Sequence, residues 1–315
     1  MAPRLLITRA MPETVVARAR TRFDVTWRDE PVPLTPDGLR DALRDYDAVL
    51  PTLGDLFRAE VLADVPEPRA KILANFGVGY NHIDVPAAKA VGLAVTNTPG
   101  AVTDATADIA LTLILMTARR AGEGERLLRK GTWTGWHPVQ MLGMHVTGKR
   151  LGVIGMGRIG KAIAHRCHFG FGMEVVFHNR SPVASGFARQ VAFDEALRAD
   201  VVVIAVPGGA ETRHMIGAAA LARMQPHSLL INISRGDVVE ESALVAALQS
   251  GQIGGAGLDV YEFEPKVSPA LMAMENVTLL PHLGTAALEV REAMGMMAVD
   301  NLFAHLDGRP LPNAV

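Results

Sequence analysis

The sequence predicts an α/β protein with two Rossmann-like, doubly wound parallel-sheet domains, and three observations support this prediction. Short apolar runs alternate with amphipathic stretches along the 315 residues. A G-x-G-x-x-G segment, residues 155–160, follows one of these runs and opens an amphipathic stretch. The segment lies in mid-chain, so we expect a dinucleotide domain flanked by a second, discontinuous domain built from both chain ends.

The apolar runs predict the strands, and two long amphipathic patterns predict the helices that join the domains. The first set of strands is 5–8, 48–50, 72–74 and 94–97, and the second set is 151–154, 174–178, 201–206, 229–233, 257–260 and 277–280. The long helices are predicted at about 103–129 and 285–306. We therefore predict a substrate domain from residues 1–99 and 285–315, and a dinucleotide-binding domain from residues 100–284.

Composition excludes several classes of protein. With 49% hydrophobic and 20% charged residues and a net charge of −2, the chain has no basic excess that favours nucleic acid or membranes. The longest apolar stretch, 109–116, is too short to span a bilayer. The only cysteine, Cys167, excludes an intrachain disulfide and a cysteine-cluster metal site. We expect a cytoplasmic protein without a metal site.

The glycine segment predicts a binding site for a dinucleotide pyrophosphate. Gly155, Gly157 and Gly160 permit a tight turn and let backbone N–H groups approach an anion at a helix N-terminus. A glycine turn in an unrelated α/β domain is the alternative. The strand before the turn, the amphipathic stretch after it and the next strand at the expected distance favour the dinucleotide.

The end of that next strand indicates which dinucleotide binds. NAD enzymes usually carry an Asp or Glu here for the ribose 2′-hydroxyl, whereas this chain has Asn179, Arg180 and Ser181. A carboxylate would repel a 2′-phosphate, and these three side chains would bind one. NADP(H) is therefore favoured over NAD(H), which remains possible; a merely solvated loop is the other interpretation.

Three further strand ends carry candidate site residues. Gly77 and Gly79 lie in a turn that either presents backbone N–H groups to a carboxylate or is an ordinary βα turn, and spacing does not decide between these. Arg235 is placed to bind a substrate carboxylate, although a surface arginine is the commoner outcome. His282 is a candidate general acid/base with Glu264 on its other ring nitrogen, or else an incidental loop residue.

Taken together, these segments resemble the D-2-hydroxyacid dehydrogenase family, and within it the glyoxylate/hydroxypyruvate reductase branch. The matching segments are 77–84, 96–100, 132–137, 155–160, 232–236, 257–261 and 281–284. They recur in one order at compatible spacings, and the resemblance runs from Leu5 to Asn313.

The resemblance implies a catalytic role for three residues. Arg235 would bind the substrate carboxylate and polarise the 2-oxo group, His282 would donate the proton, and Glu264 would orient and charge His282. The substrate would also contact Leu53 and the backbone of Val78 and Gly79. The implied reaction is hydride transfer from a nicotinamide cofactor to a small 2-oxo acid, giving the D-2-hydroxy acid.

The resemblance, together with the strand end at residues 179–181, gives a set of predicted cofactor contacts. These are Thr106, Gly155, Gly157, Arg158, Ile159, Gly160, Asn179, Arg180, Ser181, Val206, Pro207, Thr212, Ile233, Ser234, Arg235, Asp259, His282 and Gly284. Two departures from the family pattern bear on them. The acidic residue that selects NAD is absent, and the glycines in segment 205–212 weaken the contact expected of Pro207.

Partners and alternatives follow from the same resemblance. Relatives use the segment around Trp133, Trp136, His137 and Met141 as a dimer arm, so a homodimer is expected, although ordinary packing also explains the tryptophans. Neither nucleic acid nor a membrane is expected as a partner. The alternatives are an enzyme for larger or sugar-acid substrates and a non-catalytic NAD(P)(H)-sensing protein; the retained Arg235, Glu264 and His282 argue against the sensor.

Overall fold

The computed structural model describes residues 2–315 and divides them into two compact units. One unit comprises the described residues up to Val102 together with Ala286–Val315, and the other comprises Thr103–Thr285. Each unit holds one all-parallel sheet with helices on both faces. The predicted fold class, two doubly wound domains of which the first is discontinuous, is confirmed.

The first unit is built around a five-stranded sheet of order β2-β1-β3-β4-β5. Its strands are β1 (Arg4–Ile7), β2 (Asp24–Trp27), β3 (Ala48–Leu50), β4 (Ile72–Ala74) and β5 (Ala94–Thr96). The helices between them are α1 (Glu13–Arg20), α2 (Pro36–Asp45), α3 (Ala59–Ala63) and α4 (Val85–Ala90). Thr35 and Asp84 cap α2 and α4, each accepting a backbone N–H with its side chain.

The second unit is built around a seven-stranded sheet of order β12-β11-β10-β9-β6-β7-β8. Its helices are α5 (Thr103–Ala118), α6 (Ala121–Arg129), α7 (Arg158–Phe171), α8 (Phe193–Leu197), α9 (Ala218–Leu221), α10 (Glu241–Gln249) and α11 (Pro269–Ala273). The strands are β6 (Arg150–Ile154), β7 (Glu174–His178), β8 (Ala188–Gln190), β9 (Val201–Ile204), β10 (Leu229–Asn232), β11 (Gly255–Leu258) and β12 (Val277–Leu279). Strand order reverses between β9 and β7, with β6 between them, which is where ligands bind in such sheets.

The last helix, α12 (Leu288–Leu306), returns the chain to the first unit. Its buried Ala298, Val299 and Leu302 pack in one cluster with Leu5 and Ile7 of β1. None of the helices in residues 2–315 combines the length and apolar character that a membrane span requires.

Pleating of the second sheet divides its side chains between two cores. Val201 and Val203 of β9 pack in a cluster with residues of α5 and α7, whereas Val202 and Ile204 pack on the other face with residues of α8 to α11. Successive residues of a strand point to opposite faces, and all four side chains are fully buried. The continuous apolar run, without alternation, is thus the signature of a strand covered on both sides.

The prediction of one continuous helix at 103–129 is wrong, because the segment forms two helices, α5 and α6. Arg120 adopts a left-handed conformation, with φ of +54°, between α5 and α6. The carbonyl of Ala118 accepts the amide of Met144 at 2.7 Å, and Arg120 pairs with Glu123 at 2.7 Å. The break therefore depends on a segment distant in sequence, which a local helical pattern does not report.

Two strands were not predicted, and both lie at sheet edges. Strand β2 alternates exposed and half-buried residues, and β8 is mostly exposed. An edge strand buries little apolar surface, so its sequence lacks the continuous apolar run that marked the central strands.

Gly152 of β6 tests how closely the sheet and α8 approach. A Cβ at this position would lie 2.1 Å from the carbonyl oxygen of Ala196, so we expect Gly152→Ala to lower the free energy of unfolding by about 1–3 kcal/mol. The control is Gly170→Ala in α7, where a Cβ meets nothing within 4 Å; it should be neutral or stabilising. Equal melting temperatures for the two variants would contradict this packing argument.

Candidate active site

Most predicted cofactor and catalytic residues of the second unit follow the carboxyl ends of its strands. Thr106 lies elsewhere and forms a hydrogen bond to one of these residues. Residues 155–160 follow β6, 179–181 follow β7, 206–212 follow β9, 233–235 follow β10, 259–264 follow β11 and 282–284 follow β12. Thr106, in the first turn of α5, donates to the carbonyl of Gly284 at 3.2 Å. The topology therefore gathers these residues at one edge of the sheet.

The three glycines of the turn after β6 meet different constraints. Gly155 has φ of +99°, and a Cβ there would lie 2.8 Å from the backbone of Ala205. A Cβ at Gly160 would lie 2.1 Å from the carbonyl oxygen of Gly155. Gly157 differs, because a Cβ there would meet nothing within 4 Å. Two glycines allow close backbone packing, and the third leaves open space at the start of α7.

That open space fits a pyrophosphate. Gly157 is the N-cap of the 14-residue helix α7, and no side chain in residues 2–315 caps its N-terminus. The first backbone N–H groups of a helix have no partner within it, and the positive end of the helix dipole favours an anion. Gly157, Arg158 and Ile159 are therefore the residues that would hold the phosphates of a dinucleotide.

The residues predicted to contact a 2′-phosphate are placed differently from one another. The Asn179 side chain accepts the amide of Met156 at 3.1 Å and donates to the carbonyl of Ser181 at 2.9 Å, so it supports the glycine turn. Arg180 is strongly exposed and forms an ion pair with Glu211. Of the three, only Arg180 presents a positive charge, and a 2′-phosphate would compete with Glu211 for it.

The segment after β9 is held in a turn by a hydrogen bond within it. Thr212 donates its hydroxyl to the carbonyl of Pro207 at 2.8 Å, and Pro207 is exposed. Ser234, buried like Ile233 beside it, donates its hydroxyl to the carbonyl of Val206. The hydrogen bond from Ser234 joins the segments that follow β9 and β10.

Buried Asp259 fixes the backbone that carries His282. Its two carboxylate oxygens accept the amides of Leu283 at 2.6 Å and Gly284 at 2.8 Å, and its carbonyl accepts the amide of His282 at 2.9 Å. Burial raises the pKa of Asp259, although the two amides and His282 oppose this. His282 has φ of +54°, a conformation that non-glycine residues adopt only where the surroundings hold it.

Glu264 and His282 form a hydrogen-bonded pair. Nδ1 of His282 lies 2.9 Å from Oε2 of Glu264, while Oε1 of Glu264 accepts the amide of Tyr261 at 2.9 Å. Burial alone would raise the pKa of Glu264, but the hydrogen bond and charge of His282, the Tyr261 amide and the charge of Arg235 hold that pKa below its ordinary value. The carboxylate therefore stays ionised beside the imidazole, whose Nε2 bonds to no described residue.

Arg235 is half-buried and forms no ion pair with a carboxylate among residues 2–315. It donates Nη1 to the carbonyl of Ser234 at 2.7 Å, while its buried Nε has no hydrogen-bond partner among the described residues. Burial lowers its pKa, and the charges of Glu264 and Asp237 oppose this. Because an arginine stays charged, this unpaired guanidinium suits an anionic ligand.

The substrate residues predicted in the first unit follow two neighbouring strands. Leu53 follows β3 and is 39% exposed, and Val78 and Gly79 follow β4 and are half-buried. A bridge between Thr52 and Phe76 joins the two loops. The amides of Val78 and Gly79 donate to no other described residue, which leaves them available to an anion.

Two groups that support the site were missed from the sequence. Asn232 accepts the Ser234 amide at 3.1 Å and donates to the Arg235 carbonyl at 3.0 Å. Glu262 bonds His214 at 2.6 Å and the Glu241 amide at 3.1 Å. The sequence could have indicated Asn232, because a polar Asn ends an otherwise apolar strand. Nothing in the sequence indicated the hydrogen bonds of Glu262.

Residues 2–315 contain no group of three or more side chains arranged to hold a metal ion.

Comparison with known proteins places this geometry in a family. The model of the D-isomer specific 2-hydroxyacid dehydrogenase NAD binding domain matches residues 111–284. The glyoxylate reductase of Thermococcus onnurineus is 42% identical over 325 aligned residues, which cover all of this chain and 96% of that protein.

Solved structures agree over the whole chain. A protein of Thermus thermophilus is 39% identical with a TM-score of 0.92, covering 99% of both chains. The NADPH-dependent glyoxylate/hydroxypyruvate reductase of Sinorhizobium meliloti, in complex with NADP and malonate, is 35% identical with a TM-score of 0.89, covering 100% of this chain and 97% of that one. With a matching family model and relatives above 40% identity over its full length, the chain belongs to the D-isomer specific 2-hydroxyacid dehydrogenase family.

Proposed function

We propose that the protein reduces a small 2-oxo acid to the D-2-hydroxy acid, with NADPH preferred over NADH and with glyoxylate and hydroxypyruvate as its substrates. The observation that carries this proposal is the half-buried, unpaired Arg235 together with the Glu264–His282 pair. Relatives named glyoxylate reductase at about 40% identity support the substrate class. The single buried cysteine is consistent with a cytoplasmic location.

Each residue of the site has a definite role in this reaction. A nicotinamide cofactor, when bound, supplies the hydride. Arg235 binds the substrate carboxylate and stabilises negative charge on the carbonyl oxygen. His282 donates its proton to that oxygen through Nε2, because Nδ1 is engaged by Glu264. Glu264, held ionised, stabilises the protonated imidazole and fixes its orientation.

Substitution of His282 tests the reaction most simply. The assay follows NADPH and NADH oxidation with glyoxylate, hydroxypyruvate and larger 2-oxo acids. We expect His282→Gln to lower kcat by about 10²- to 10⁴-fold because the proton donor is lost. The matched control is His227→Gln, since His227 also pairs with a carboxylate, Asp200, at 2.7 Å, but outside the site. An unchanged kcat in His282→Gln would refute its role as proton donor.

The cofactor preference rests on Arg180. We expect Arg180→Ala to weaken NADPH binding about tenfold or more and to leave NADH binding nearly unchanged, because only NADPH carries the 2′-phosphate. Arg189→Ala is the control: Arg189 is also exposed and also paired, with Glu195 at 2.9 Å, but lies on β8. Titration of both cofactors by fluorescence measures the effect. Equal losses for NADPH and NADH would remove the argument for a 2′-phosphate site.

We also propose a homodimer through the apolar segment 128–142. Four of its large apolar side chains are strongly exposed: Leu128, Trp136, Val139 and Leu142, by 61%, 79%, 71% and 67%. A concentration of exposed apolar residues is typical of a protein interface. We expect Val139→Glu with Leu142→Glu to give monomers in analytical ultracentrifugation. Phe169→Glu, at an exposed apolar residue of α7, should leave a dimer; a monomeric unmodified protein would contradict the proposal.

A further inference from the structure

The loop that follows β4 in the first unit is held by two side-chain amides, one of them fully buried. Asn75 is fully buried and donates Nδ2 to the carbonyls of Gly77 at 3.0 Å and Gly79 at 3.1 Å. Asn97 donates Nδ2 to the carbonyl of Val78 at 2.9 Å. Three successive carbonyls of the loop are therefore bound by side chains of this unit.

This arrangement determines where the amides of the loop point. In a trans peptide the C=O and the following N–H lie in one plane and point in opposite directions. Binding of the Gly77 and Val78 carbonyls therefore turns the amides of Val78 and Gly79 in the opposite direction. Gly77 has φ of +152°, which lies in the region that favours glycine. The loop presents two adjacent donors that no described residue uses.

His82 fixes the orientation of the Asn75 amide. Both hydrogens of Asn75 Nδ2 are engaged by carbonyls, so Asn75 Oδ1, 2.9 Å from Nε2 of His82, must accept a hydrogen bond. Nε2 of His82 is thus a donor. Rotation of the Asn75 amide would place its oxygen against two carbonyl oxygens and its NH₂ group against a donor, and the buried site would lose these hydrogen bonds together.

We propose that Asn75 and His82 are positioning residues that shape residues 77–79 into a binding loop for the carboxylate of the 2-oxo acid. Two adjacent backbone N–H groups match the oxygens of a carboxylate, and Gly79 has no side chain that limits access. The inference rests on the proposed function, because the anion it names is the substrate of that reaction. Neither side chain need touch the substrate; both act through the backbone.

The test compares Asn75→Leu with Asn301→Leu. Asn301 is a matched control, since it is also fully buried in the first unit. Its side chain donates to the carbonyl of Met297 at 2.8 Å and to Oδ1 of Asn313 at 3.0 Å. It also accepts the amide of Asn313 at 3.0 Å. We expect Asn75→Leu to raise KM for glyoxylate and Kd for oxamate about tenfold or more, with a smaller change in kcat and none in Kd for NADPH. Asn301→Leu should lower the melting temperature without changing KM.

A second pair of variants keeps the test decisive if Asn75→Leu does not fold. His82→Gln retains a donor toward Asn75 and should keep a KM near that of the unmodified protein, whereas His82→Phe removes the donor and should raise KM. If KM stays unchanged in Asn75→Leu and His82→Phe while the unmodified protein is active, the positioning role is wrong. If the unmodified protein reduces no 2-oxo acid, the proposed function itself fails, and the inference fails with it.

Discussion

The buried carboxylate of Asp259 is the constraint on which the geometry around His282 depends. Asp259 accepts hydrogen bonds from three successive backbone amides. Its carbonyl accepts the amide of His282, and its carboxylate accepts the next two. These bonds hold His282 at a positive φ that an unsupported loop would not keep. The ring can then meet Glu264, which the Tyr261 amide orients in turn. His282, the proposed proton donor, is thus positioned by the backbone at the end of β11.

Among the described residues, Arg235 has no carboxylate partner, although the charge of Glu264 acts on its pKa. Of Arg235 and His282, Glu264 forms a hydrogen bond only with the histidine, and it also accepts the Tyr261 amide. A half-buried guanidinium without a carboxylate partner is costly in the free protein, and an anionic ligand removes that cost. The first unit has a comparable feature, the amides of Val78 and Gly79, which donate to no other described residue. Each feature, taken within its own unit, suits an anionic ligand.

The sequence predicted what depends on local pattern and missed what depends on distant contacts. Central strands such as β3 and β4 were predicted at their observed bounds, because continuous apolar runs mark strands covered on both faces. The break at Arg120 was missed because it depends on Met144, and the Asn75–His82 network because glycine spacing does not show which carbonyls are bound. The pairing of Arg180 with Glu211 joins residues 31 apart, so the motif at 179–181 alone did not reveal it.

Chiral analysis of the product formed from hydroxypyruvate is the most direct test of the proposed reaction. Reduction at C2 by a D-specific enzyme gives D-glycerate. The configuration of this product does not depend on the rate of the reaction. We expect NADPH and hydroxypyruvate to yield D-glycerate alone, with one NADPH consumed for each molecule formed. Formation of L-glycerate would contradict the proposed reaction. So would the absence of any glycerate from a protein that binds NADPH.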